Sequence, residues 1–231
     1  MDNIILNWSS GKDASFACFL LKKDKKYNIS ALLTAVSVQF ERVSMHGTRI
    51  EVLEKQAALM QIPLEKICVP ENADMETYNK TLENKLNTFS AKGIYTYAFG
   101  DIFLEDLRKY REEQLSKINA KAIFPLWKMD TNNLVSQIED AGIVAKIICV
   151  NDKYLGKEFL GRTINRSLLN DFPANVDPCG ENGEFHTLVT DAPFFKENMK
   201  IKEGEIIYKK YDSGDGKWDS GFYYLDMKLA E

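Results

Sequence analysis

Two short stretches of this chain carry residue types that can do chemistry together. The first is Asn7-Trp8-Ser9-Ser10-Gly11-Lys12-Asp13-Ala14-Ser15, which follows the apolar run Ile4-Ile5-Leu6. A buried strand, a turn of small residues and a helix bring backbone N–H groups together at a helix start, where an anion binds. Lys12 adds a cation there, and Asp13 either holds a metal ion such as Mg²⁺ or caps the helix. The Gly-x-x-x-x-Gly-Lys-Ser/Thr spacing of a Walker loop is absent, as is Gly-x-Gly-x-x-Gly. The second stretch is Asp177-Pro178-Cys179-Gly180-Glu181-Asn182-Gly183-Glu184-Phe185-His186-Thr187. Gly180 and Gly183 permit tight turns that project Glu181 and Glu184, two carboxylates suited to orienting an amine, deprotonating ammonium or completing a Mg²⁺ site. The other reading has both glutamates capping backbone amides. Cys179 and His186 do not have zinc-finger spacing, and no second ligand pair accompanies them.

The elements that must position these stretches alternate. Strands are expected at Ile4–Leu6, Ile29–Val36, Ile67–Val69, Tyr95–Phe99 and Ala122–Phe124. Between them, helical spacing links Ala14, Ala17, Leu20 and Leu21, then Ile50, Leu53, Ala57 and Met60, then Met75, Tyr78, Leu82, Leu86 and Phe89, with a further helix from Leu104 to Lys117. Thr48-x-x-Glu51 predicts a capping box, and Asp74 and Asp130 predict N-caps. The fold class is therefore α/β, a parallel five-stranded sheet with helices on both faces. Ligands of such sheets sit beyond the carboxyl ends of the strands. The Ser9–Asp13 turn, Ser37, His46 (in Met45-His46-Gly47) and Gly100-Asp101 all fall at that edge. Asp101 either contacts a ligand or caps the next helix. Arg108 and Glu112, four apart, share a helix face as a surface ion pair or leave Arg108 to reach a phosphate.

A boundary is expected near Leu126, dividing the chain into residues 1–126 and a smaller α+β domain, 127–231. The second part holds a helix with Leu134, Val135 and Ile138 inside, a strand from Val144 to Val150, a helical Gly161–Asp171, and strands Glu205–Tyr211 and Phe222–Leu229 joined by a turn at Gly214-Asp215-Gly216.

Ser9-Ser10-Gly11-Lys12-Asp13-Ala14 resembles the Ser-Gly-Gly-x-Asp-Ser loop of N-type ATP pyrophosphatases, with Ser10 in place of a glycine and Ala14 in place of a serine. The second stretch resembles the signature of the diphthine–ammonia ligase family, Gly-Glu-x-Gly-Glu-Phe/Tyr-x-Thr, in a fuller form similar to that of bacterial relatives. Gly100-Asp101-Ile102, Arg108, Glu112 and Pro125-Leu126-Trp127 fall between the two motifs in that family's order. The resemblance implies an adenine-nucleotide-hydrolase-like sheet, ATP and Mg²⁺ as cofactors, and an amide-forming ligase that adenylates a carboxylate, releases pyrophosphate and transfers ammonia. It implies Asp13, Lys12, Glu181 and Glu184 as catalytic residues, with Asp13 on the metal. Nucleotide would contact Ser9, Ser10, Gly11, Lys12, Asp13, Ser37, Gly100 and Asp101. Substrate would contact His46, Arg108, Gly180, Glu181, Gly183, Glu184, His186 and Thr187. The acceptor in archaeal and eukaryotic members is diphthine on translation elongation factor 2; a bacterial member would use another carboxylate. Two other readings stand beside it, a non-catalytic nucleotide-binding module like the universal stress proteins and a tRNA-thiolating pyrophosphatase.

Composition fits an enzyme of this kind. The 231 residues are 45% hydrophobic and 28% charged, ordinary globular usage. A net charge of −4 argues against a dedicated nucleic-acid binder. No apolar run approaches a membrane span, and Met1-Asp2-Asn3 lacks a signal peptide's basic start. Cys18, Cys68, Cys149 and Cys179 are widely spaced, as expected of free thiols in a reducing cytoplasm. A homodimer is one assembly open to such a chain.

Overall fold

In the computed structural model of the chain, residues 1–44, 46–70, 74–211 and 220–230 are described. The expected Gly214-Asp215-Gly216 turn and Met45 lie outside them.

The apolar start of the chain forms β1 (Asp2–Asn7), whose Ile4, Ile5 and Leu6 are fully buried. It is followed by α1 (Lys12–Asp24), β2 (Tyr27–Ser37), β3 (Arg42–Val43), α2 (Ile50–Met60), β4 (Leu64–Val69), α3 (Met75–Ser90), β5 (Thr96–Ala98), α4 (Glu105–Ser116) and β6 (Lys121–Ile123). Five of these strands run parallel in the order β4-β2-β1-β5-β6, which is the sheet expected from the alternation. The two-residue β3 adds an antiparallel partner at the end of β2, pairing Val36 with Val43 and Ser37 with Arg42. The chain grows from β1 toward β4, then returns to lay β5 on the other side of β1. That reversal opens a crevice beyond the carboxyl ends of β1 and β5.

The two sheet faces bury different residues because side chains alternate along a strand. Ile4 and Leu6 face Ala17, Leu21 and Leu53 of α1 and α2. Ile5 faces Leu86 and Phe89 of α3 and Leu115 of α4. Met75, expected on the inner face of α3, is 62% exposed, because this helix buries only residues of its last turns.

The second half contains α5 (Thr131–Asp140), β7 (Val144–Asn151), α6 (Arg166–Leu169), β8 (Phe185–Asp191), β9 (Ile201–Tyr211) and β10 (Ser220–Leu229). Its strands form an antiparallel sheet in the order β8-β7-β10-β9. The expected helix over Gly161–Asp171 shrinks to α6. Gly161 takes a positive φ of 78° and Thr163 bridges Lys146, so the chain is extended until the Asn165 side chain caps α6 by accepting from Leu168 N at 2.9 Å. One continuous apolar cluster joins Ile4 and Ala17 of the first half to Leu134, Ile147 and Val189 of the second. The second sheet is thereby seated against α1 and α2. Among the described residues no helix is long and apolar enough to cross a membrane.

Candidate active site

The turn after β1 is shaped by one residue in an unusual conformation. Ser10 adopts a φ of 71°, the left-handed region that the glycine of the related pattern would occupy without cost. Its hydroxyl lies 2.8 Å from the Thr48 hydroxyl, and it is fully buried. This contact explains why the expected capping box fails to form. Thr48 is engaged with Ser10, Arg49 takes the N-cap position of α2, and no side chain caps that helix. Helix α1 begins at Lys12 with Gly11 as its N-cap, so Asp13 is an acidic residue of the first turn and not a cap.

The end of the second stretch, on β8, meets this turn directly. Lys12 N donates to Thr187 Oγ1 at 3.0 Å, and Val189 N donates to Ser10 O at 2.9 Å. Gln56, fully buried on α2, ties the junction together. Its amide nitrogen donates to Val189 O at 2.7 Å and Ser10 O at 3.2 Å, and its oxygen accepts from Trp8 Nε1 at 3.0 Å. A methyl group on Gly11 would stand 3.2 Å from Thr187 O, so glycine lets the strand approach.

Lys12 is the centre of charge. The residue is 2% exposed, and its ammonium lies 2.8 Å from Asp13 Oδ2, hydrogen-bonded to Cys179 O and 5.4 Å from the Phe185 ring centroid. Burial works against that charge, but Asp13, Cys179 and Glu181 outweigh it and raise the Lys12 pKa. Burial raises the Asp13 pKa, with Lys12 opposing. Asp13 Oδ1 is buried and has no hydrogen-bond partner among the described residues, and the Ser15 hydroxyl is in the same position.

The two glutamates differ. Glu184 is 1% exposed and its carboxylate staples the loop, accepting from Asp177 N, Asn182 N and Asn182 Nδ2, each at 3.0 Å. This is the amide-capping alternative, with two donors on Oε1 and one on Oε2. Glu181 instead reaches across the crevice, where its Oε1 accepts from Ile102 N at 2.7 Å. Burial pushes its pKa up to about 7, with Asp13 adding to the rise and the Ile102 amide opposing it. Asp177 shapes the loop by accepting from Cys179 N and Glu181 N. Gly180 and Gly183 take positive φ values of 67° and 86°, as the turns require.

Other expected residues are placed as follows. Gly100 does give close approach, but to protein: a methyl there would lie 2.9 Å from Ala14 N and Asp13 C. Asp101 caps no helix. It accepts from Arg111 Nε at 2.7 Å and from Arg111 Nη2 at 3.0 Å. Arg108 pairs with Glu112 at 2.8 Å and lies over the Trp127 ring at 4.6 Å, on the surface of α4. Ser37 lines a cavity of about 400 Å³ with Arg42, Ser44, Gly47 and Tyr224. The His46 and His186 rings pack 4.4 Å apart, and His46 Nδ1 is buried without a partner among the described residues. Burial lowers both pKa values, that of His186 to about 4, with Lys12 contributing to each.

The diphthamide synthase N-terminal domain matches residues 1–121, and the diphthamide synthase C-terminal domain matches residues 130–226. The chain belongs to the diphthamide synthase family. Curated relatives named diphthine–ammonia ligase include one from Schizosaccharomyces pombe, 28% identical over 117 residues, which is 48% of this chain and 19% of that protein. Those from Rattus norvegicus and Homo sapiens are 30% and 28% identical over 117 residues, 48% of this chain and 43% of each relative. The matched stretch thus spans less than half the length of these relatives.

Within this diphthamide synthase fold, sequence reading assigned no role to Gln56 or Arg111, and it read Thr48 as a helix cap where it meets the Ser10 hydroxyl. Gln56 had a signal: it is a polar residue at an inner-face position, between Leu53 and Met60. Arg111 lies one turn beyond Arg108 on α4 and is the partner of Asp101.

Proposed function

We propose that this chain is an ATP-dependent carbon–nitrogen ligase that adenylates a carboxylate, expels pyrophosphate and passes the acyl group to ammonia. A carboxylate carbon does not react with ammonia at neutral pH. Attack of the carboxylate oxygen on the α-phosphorus of ATP breaks the bond to pyrophosphate and forms an acyl-adenylate; ammonia then displaces AMP. The reading rests on one observation: the Ser9–Asp13 corner and the Glu181 loop touch at the point where the strand order reverses.

In this proposal the Ser10 and Gly11 amides, the Ser9 hydroxyl and the Lys12 ammonium face the polyphosphate, with Ser37, Gly100 and Asp101 shaping the nucleotide's side of the crevice. Asp13 would hold Mg²⁺: its free Oδ1 suits one carboxylate ligand of an ion that takes its other ligands from phosphates and water. That ion would neutralise phosphate charge. Glu181, titrating near neutral pH, is the group that takes a proton from ammonium. Glu184, Gly180, Gly183 and Thr187 position Glu181, and His46 and His186 stand on the acceptor side. We assign the nucleotide to residues 1–126 and the acceptor to 127–231, acting in the cytoplasm, with a carboxylate on elongation factor 2 as the protein substrate where diphthamide is made.

One observation favours a second reading, a nucleotide-binding module without turnover: Ser10 and Ala14 stand where the related loop has a glycine and a serine, and Ala14 removes a hydroxyl donor. Pyrophosphate release separates the two. Ammonium, ATP and a panel of carboxylates should release pyrophosphate with wild-type protein and not with Asp13→Ala. Release unchanged in that variant would overturn the ligase scheme, and ATP binding without release under any acceptor supports the module.

A further inference from the structure

The outer edge of β9 is unpaired among the described residues, since β10 is the strand's sole ladder partner. It also carries four exposed large side chains within six residues: Ile206 is 48% exposed, Ile207 39%, Tyr208 49% and Tyr211 50%. An eleven-residue edge of this kind is a template for another strand, and natural sheets usually cover or break it.

The strand's charges are divided between its halves. Glu203 and Glu205 lie toward its start, and Lys209 and Lys210 toward its end. A parallel, in-register second copy would set like charge against like. An antiparallel copy turned about Ile207 does the opposite. Glu205 then stands across from Lys209, Ile206 from Tyr208, and Ile207 from itself, so each pair is complementary. The strand's alternation supports this register: Glu205, Ile207 and Lys209 share one face of β9 while Ile206 and Tyr208 share the other. The two-fold axis through Ile207 closes the contact at two copies.

We propose that β9 is a homodimer interface, in which two copies join their C-terminal sheets into one eight-stranded antiparallel sheet centred on Ile207. Main-chain hydrogen bonds along the edge supply attachment, and the Glu205–Lys209 pairs, made twice by symmetry, set direction and register.

Light scattering after size exclusion tests this with three samples of the full chain. Wild type should be dimeric. Glu205→Lys and Lys209→Glu should each weaken the dimer about tenfold or more, since each places like charges across both symmetric pairs. An equimolar mixture of the two variants should recover a heterodimer by native mass spectrometry, because each all-basic edge then meets an all-acidic one. Thermal melts by circular dichroism check that both variants fold. A monomeric wild type overturns the proposal, as do variants that stay dimeric or folded variants whose mixture remains monomeric.

Discussion

The backbone amide of Lys12 donates to the Thr187 hydroxyl at 3.0 Å, joining residues 175 apart in sequence. This bond links the first helix of the parallel sheet to β8 of the antiparallel one at the proposed phosphate corner. Thr187→Val keeps shape and removes the acceptor, leaving a buried N–H unpaired. It should cost about 1–3 kcal/mol in urea unfolding. Thr187→Ser, which keeps the hydroxyl, should recover most of that loss.

The Lys12–Asp13 pair is a buried ion pair with side chains 3% and 26% exposed. Removing one partner strands the other charge. Lys12→Met should destabilise the chain by about 3–5 kcal/mol, read from the urea midpoint at constant m value. A loss below about 1 kcal/mol would show that the pair is worth no more than a surface contact.

Ser10 sits at a φ of 71°, where a side chain costs about 1–2 kcal/mol relative to glycine. Ser10→Gly relieves that strain but loses the bond to Thr48, whereas Ser10→Ala keeps the strain and loses the bond. Ser10→Gly should therefore be the more stable of the two by about 1–2 kcal/mol, by thermal or urea unfolding.

Much of this could be read before the fold was known. The five parallel strands follow from apolar runs separated by helical spacing, and small residues after β1 marked the turn at its carboxyl end. Side-chain commitments were less legible, because they depend on contacts between distant segments. Nothing local distinguishes Glu181 from Glu184; Asn182 and Asp177 draw one into the loop, while Ile102, on another strand's exit, receives the other. Thr48 had the spacing of a capping box, yet the buried Ser10 hydroxyl offered a partner that propensity does not see.

Glu181 has a pKa raised to about 7, so the folded chain binds a proton that the unfolded chain releases near its ordinary value of 4.5. Its contribution is full in acid and is lost as pH rises from about 4.5 through 7, amounting to about 3 kcal/mol. His186, lowered to about 4, acts in the opposite sense: its contribution is present above the ordinary 6.5 and lost as pH falls through 4. The Glu181 effect is isolated by difference. Wild type minus Glu181→Gln stability, measured by urea unfolding from pH 4.5 to 8, should fall with rising pH, and a flat difference would place the Glu181 pKa at its ordinary value.

The central claim is that the Ser9–Asp13 corner grips the polyphosphate of ATP. Calorimetric titration of wild type and Asp13→Ala with ATP and with AMP, in the presence of Mg²⁺, tests it most directly. Wild type should bind ATP at least about tenfold more tightly than AMP, a difference of about 1.4 kcal/mol from the β- and γ-phosphates, and Asp13→Ala should erase that preference. Equal affinities in wild type, or a preference that survives in Asp13→Ala, would contradict the account.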